Sequence, residues 1–121
     1  MNAILGSGGF HHVCFKTRDW DRSMTFYKET LGCTEKIAWR AAPQRAVMLD
    51  TGDGNYMEVF EDLTYTPAAN GAVIHFAFRT TRLDEVVARV PAAGAGVTLD
   101  AGCLRVATPS GAPAVAVHLL S

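Results

Sequence analysis

Residues 9–17, GFHHVCFKT, and residues 73–80, VIHFAFRT, are one pattern written twice. In each, large apolar side chains alternate with polar or small ones, the period-two signature of a strand buried on one face. In the first, Val13 and Phe15 share a face and His12, Cys14 and Lys16 share the other. In the second, Ile74, Phe76 and Phe78 share a face, leaving His75, Ala77 and Arg79 opposite. The offset that carries His12 onto His75 also carries Trp20 onto Leu83, so the repeat extends beyond the strands. The large apolar residues need a helix as cover, which turns both histidines toward whatever the sheet curls around.

Outward from the first stretch, Asp19 offers an N-cap, and Trp20, Met24, Tyr27 and Leu31 recur at helical spacing before Gly32 supplies a stop. Strands are predicted over residues 34–40, 45–49 and 56–60, with Pro43 and Thr51-Gly52-Asp53-Gly54 as turns. Residues 63–71, LTYTPAANG, show neither period and read as a connector. The order then restarts. Leu83, Val86, Val87 and Val90 mark a helix ended by Pro91 and Gly94, and strands are predicted over 97–99, 104–107 and 114–120. The expected fold is α+β: a single domain of two βαβββ modules, about 9–62 and about 72–121, forming a curled mixed sheet.

Composition agrees with one globular domain: 121 residues, 49% hydrophobic and 19% charged. Eleven Lys and Arg against twelve Asp and Glu give a net charge of -1, and the basic residues are scattered. Neither nucleic acid nor an anionic membrane surface is an expected partner. The apolar stretch 72–78 is interrupted by His75 and is far shorter than the roughly 20 residues a membrane span needs. Residues 1–10 lack the basic and apolar regions of a secretion signal, so a cytoplasmic location is expected. Cys14, Cys33 and Cys103 are an odd set without C-x-x-C spacing, read as reduced, mostly buried thiols. Gly6-Ser7-Gly8-Gly9 is followed by a strand where a phosphate loop requires a helix.

In residues 56–60 the alternation puts Met57 and Val59 toward the helix and Tyr56, Glu58 and Phe60 on the open side. Glu58 thereby faces the same way as His12 and His75. Two imidazoles and a carboxylate converging on one concavity suit a divalent metal such as Zn, Ni, Mn or Fe, with positions left for water or a chelating substrate. Trp39, Arg40, Arg79 and Arg105 are candidates to line the funnel and hold an anionic substrate. Asp19 and Asp84 are better read as helix-start residues.

The motifs Phe10-His11-His12-Val13, Asp19-Trp20-Asp21-Arg22-Ser23, Phe26-Tyr27 with Leu31-Gly32, Gly54 through Phe60, His75-Phe76-Ala77-Phe78 and Pro109-Ser110-Gly111 cover almost the whole chain. Together they resemble the vicinal oxygen chelate superfamily of glyoxalases, bleomycin and fosfomycin resistance proteins and extradiol dioxygenases. The resemblance implies paired βαβββ modules around a metal and places the metal ligands on His12, Glu58 and His75, with Glu58 also the candidate catalytic base. The family's fourth ligand is missing. Counting from Gly111 as from Gly54 reaches Val115, and no Asp or Glu follows Asp100. A standard lactoylglutathione lyase is therefore not expected; His118 is the one substitute nearby, an odd step away.

Two functions stay open. One is a metalloenzyme acting on a small substrate chelated through vicinal oxygens, as a lyase or isomerase or as an Fe(II) dioxygenase, which needs only two His and one carboxylate. The other is a metal-independent protein binding a drug or other small molecule, as bleomycin resistance proteins do. Open sheet edges and the family habit together imply a homodimer in which His12 and Glu58 of one subunit meet His75 of the other.

Overall fold

Thr17 and Thr80 close the two repeated strand stretches, and each hydroxyl does the same work. The Asp19 N–H donates to Thr17 Oγ1 at 3.1 Å, and the Arg82 N–H donates to Thr80 Oγ1 at 2.9 Å, turning the chain into a helix at equivalent places. The computed structural model describes residues 1–65, 75–89, 97–100, 103–107 and 116–120. Within them the order is β1 (His12–Thr17), α1 (Trp20–Met24) running on as a π-helical turn (Thr25–Thr30), β2 (Thr34–Trp39), β3 (Ala46–Asp50) and β4 (Tyr56–Glu61), then β5 (His75–Arg79), α2 (Leu83–Arg89), β6 (Val97–Asp100), β7 (Cys103–Ala107) and β8 (Ala116–Leu120). The βαβββ order recurs as read from the sequence.

Each module folds into a four-stranded sheet, ordered β1-β4-β3-β2 and β5-β8-β7-β6. The outer pairs β1 with β4 and β5 with β8 run parallel, and the remaining pairs run antiparallel. The registers match as well: His12 stands opposite Tyr56 as His75 stands opposite Ala116. Residues 66–74, 90–96, 101–102, 108–115 and 121 lie outside the described set. That set therefore omits most of the expected connector, the Pro91 and Gly94 helix stop, Ile74 and Val115.

The first module's core lies between its helix and one sheet face. Phe26, Tyr27, Cys33, Val47, Leu49, Met57 and Val59 are buried there, with Val13, Phe15, Trp20, Met24 and Leu31 packed around them. Burying one such aliphatic or aromatic side chain stabilises by about 1.5–3 kcal/mol. Phe78 of β5 and Val86 of α2 pack on the same cluster, so the second module contributes to it. The burial patterns of β1 and β4 alternate as expected, with Val13, Phe15, Met57 and Val59 inward and His12, Cys14, Glu58 and Phe60 outward.

The helix departs from its expected periodicity. Its buried side chains are Ser23, Phe26, Tyr27 and Thr30, while Trp20, Met24 and Leu31 sit at the margin. The π turn is the cause: the Leu31 N–H donates to Phe26 O at 3.1 Å, five residues back, so each turn holds an extra residue and the inward stripe slips. The Ser23 hydroxyl is buried without cost because it shares a 2.7 Å hydrogen bond with Thr17 Oγ1. The Cys33 N–H donates to Tyr27 O at 2.9 Å, and Gly32, at φ +77°, reverses the chain.

Glu61, at the end of β4, is the one buried charge among the described residues. The Arg45 guanidinium donates to it from Nε and Nη2 at 2.8 Å each, and the Arg45 backbone N–H adds a third bond at 3.2 Å. Arg45 also lies over the Trp20 ring, 5.1 Å from its centroid, and so ties β3 and β4 to α1. This fork-to-fork pairing holds the Glu61 carboxyl below its ordinary range.

Candidate functional site

Residues opposite one another in paired strands share a sheet face. The register therefore lays out the open face of the first sheet as three rows across β1, β4, β3 and β2. The first row is His12, Tyr56, Asp50 and Thr34; the second is Cys14, Glu58, Met48 and Ile37; the third is Lys16, Phe60, Ala46 and Trp39. Adjacent rows are about 7 Å apart, two residues along a strand. His12 and Glu58 are thus diagonal neighbours on adjoining strands, His12 exposed and Glu58 half-buried.

A β-bulge completes this face. The pairing of β2 with β3 shifts between Glu35 and Ile37, leaving Lys36 as the extra residue. Glu35, before the bulge, lies opposite buried Leu49 and reaches Lys28 of the helix at 3.6 Å. Past it the alternation is re-phased, and Ile37 and Trp39 come onto the open face. Trp39 meets the Phe60 ring edge to face, centroids 5.9 Å apart, over buried Ala46. Lys36 Nζ stands 5.0 Å above the Tyr56 ring centroid, and the Arg40 guanidinium stands 5.4 Å above that of Phe60.

Around the candidate ligands, His11 Nδ1 and His12 Nδ1 lie 2.9 Å apart, and the His11 ring rests 4.9 Å from that of Tyr56. One of these imidazoles donates and the other accepts, so His11 fixes the His12 ring and leaves His12 Nε2 to the open face. Cys14, across from Glu58, has its thiol pushed up in pKa by partial burial and then by the Glu58 carboxylate, through charge and hydrogen bonding. In the sequence His11 is part of the Phe10-His11-His12-Val13 motif without a role of its own; the fold gives it one by setting its ring against that of His12.

In the second module His75 is the first residue of β5, at the position His12 holds in β1. Arg79 is exposed on β5, next to Phe78, which packs on the core. Arg105 pairs with His118, and His118 with Ala77. Since Ala77 corresponds to Cys14, the register equates His118 with Glu58, where counting from Gly111 had reached Val115. The stretch before β8 is longer than that before β4, which displaced the count. The side chains of His75, Arg105 and His118 are outside the described set, as is Val115. Among the described residues no three His, Cys, Asp or Glu gather closely enough to hold a metal ion. The donor chemistry of the open face, imidazole beside carboxylate, nonetheless fits a borderline divalent ion for two of its ligands. No helix among the described residues is long and apolar enough to cross a membrane.

A sequence profile of the Glyoxalase/Bleomycin resistance protein/Dioxygenase superfamily matches residues 11–109. No curated protein matches the chain. Among solved structures, it is similar to a trypanothione-dependent glyoxalase I of Leishmania major, 22% identical, over 95% of this chain and 87% of that one, with a TM-score of 0.76. A glyoxylase/bleomycin resistance protein/dioxygenase domain from Frankia sp. EAN1pec is 22% identical over 93% and 95%, with a TM-score of 0.75. The fosfomycin resistance protein FosX of Listeria monocytogenes, complexed with Mn(II) and sulfate, is 16% identical over 93% and 90%, with a TM-score of 0.69. At these identities the shared property is the fold.

Proposed function

The chain belongs to the glyoxalase/bleomycin resistance protein/dioxygenase superfamily, and from that premise we propose that it is a metalloenzyme acting on a small substrate chelated through vicinal oxygens. The observation that carries this reading is the doubled register: two histidines head equivalent strands, and Glu58 and His118 occupy equivalent positions two residues further along their partner strands. Chance does not readily repeat donor residues at both points of both modules. We assign His12, Glu58 and His75 as ligands and His118 as the fourth, a neutral imidazole replacing the carboxylate usual there. The Mn(II) bound by the Listeria FosX agrees with a divalent ion.

When bound, such an ion supplies Lewis-acid stabilisation to negative charge developing on substrate oxygen. The chain's own residues do the rest. His11 orients the His12 imidazole. To Glu58, half-buried beside Met48 and Cys14, we assign the role of general base that would take a proton from a carbon adjacent to the chelated oxygens. Trp39, Phe60 and Ile37 offer an apolar wall that excludes water, and Arg79 and Arg105 are assigned to the substrate from the second module.

Calorimetric titration of chelator-treated protein with Zn, Ni, Mn and Fe(II) tests the reading. The wild type should bind one ion per site, His12→Ala should not, and His118→Ala should bind at least tenfold more weakly. If wild type and His12→Ala bind equally poorly, the metalloenzyme reading is wrong. The second reading, a metal-independent small-molecule binder, then takes its place; the half-exposed aromatics of the open face favour it.

A further inference from the structure

Arg40 is the sole non-glycine residue with positive φ among the described residues, at φ 67°. The left-handed region is unfavourable for a residue that carries a Cβ, so the surrounding structure imposes it. Its effect is to bring the guanidinium back over Phe60 at the end of β2, on the open face, one row from Glu58. Lys36, projected by the bulge, lies over Tyr56 one row to the other side of Glu58.

Neither cation has a carboxylate partner among the described residues, whereas Lys16 is paired with Asp62 and Arg45 with Glu61. The planar guanidinium carries its N–H donors in a fork that suits two-point contact with an oxyanion. Trp39, edge-on to Phe60, adds an apolar floor beside it.

We propose that Arg40, Phe60 and Trp39 form an oxyanion subsite, selecting substrates whose carboxylate or phosphonate sits about 7 Å from the Glu58 row and whose apolar body lies on the Phe60 and Trp39 rings. The inference rests on the open face being the substrate site, and it does not require the metal. Arg40 acts here as a specificity residue, and Lys36 adds a second, weaker positive charge on the far side of Glu58.

The test uses chelator-treated full-length protein, with the Trp39 indole N–H followed by NMR and assigned through Trp39→Phe. Phenylacetate, phenylphosphonate and the neutral phenylacetamide are titrated separately. The acid or the phosphonate should bind at least tenfold tighter than the amide, with the difference shrinking as salt rises, and the ratio of the two anions identifies which oxyanion fits. Arg40→Gln should abolish the preference. Arg40→Gly should abolish it too while leaving the unfolding midpoint equal or higher, since glycine accepts the left-handed backbone, and this separates lost recognition from lost folding. Equal affinity for anions and amide, no binding of either anion at millimolar concentration, or an undiminished preference in Arg40→Gln overturns the proposal. Repeating the titrations in His12→Ala keeps the result independent of the metal reading, because that variant should retain the anion preference even if it binds no ion.

Discussion

Glu61 shows how much of a residue's role depends on what folding brings beside it. In the sequence it follows Phe60 as an ordinary strand-end carboxylate; in the fold it is buried and receives three hydrogen bonds from Arg45. Its hydrogen bonds with Arg45 depress its pKa below the ordinary 4.5. A carboxyl depressed on folding contributes stability that is complete above its unfolded pKa and is lost as pH falls through the folded one. Urea midpoints should therefore drop on acidification below about pH 4.5, and Glu61→Gln should lower the midpoint at pH 7 while flattening that acid limb. Asp53 and Asp62, also depressed by local hydrogen bonds, leave a residual slope in the variant. A variant with an unchanged acid limb would show that the Arg45 pair contributes nothing.

At the level of elements, the π turn and the bulge are two single-residue insertions that decide faces. The π turn moves Phe26 fully inside and leaves Leu31 at the margin. Its end relies on Gly32, where no atom would meet an added Cβ within 4 Å, so Gly32→Ala costs backbone strain alone, about 1–2 kcal/mol in chemical denaturation. Leu49→Ala, in the middle of β3 and fully buried, should cost about 2–5 kcal/mol. The gap between these two measurements checks that the core, and not the cap, carries the first module. Deleting Lys36 removes the extra residue and joins Glu35 directly to Ile37, so Trp39 should stay opposite Ala46 beside Phe60 and keep its indole signal; a shifted indole signal would show that the bulge is not confined to Lys36.

At the scale of the whole molecule, Phe78 and Val86 join the first module's core, so the modules are linked through their helix side while their histidines head separate sheets. We propose that the site closes across a homodimer, with His12 and Glu58 from one subunit and His75 from the other. Light scattering on a sizing column should then give twice 13.0 kDa. Co-expressed His12→Ala and His75→Ala chains should recover one metal site per mixed dimer, since one of the two shared sites retains both histidines. No recovery, with each variant still dimeric, would place the ligands within a single chain.

The sequence by itself determined the duplicated βαβββ order and the facing of β1 and β4, and it singled out His12, Glu58 and His75 as the donors we propose, because period-two alternation and a repeated motif are local properties that neighbouring residues express directly. The tertiary structure alone decided three things. The rows that set Trp39 against Phe60 depend on a bulge, which sequence alternation cannot reveal. The equivalence of His118 with Glu58 depends on strand pairing across a stretch whose length differs between the modules, and counting residues fails there. The left-handed turn that swings Arg40 over Phe60 joins residues on strands separated by β3, and only packing brings them together.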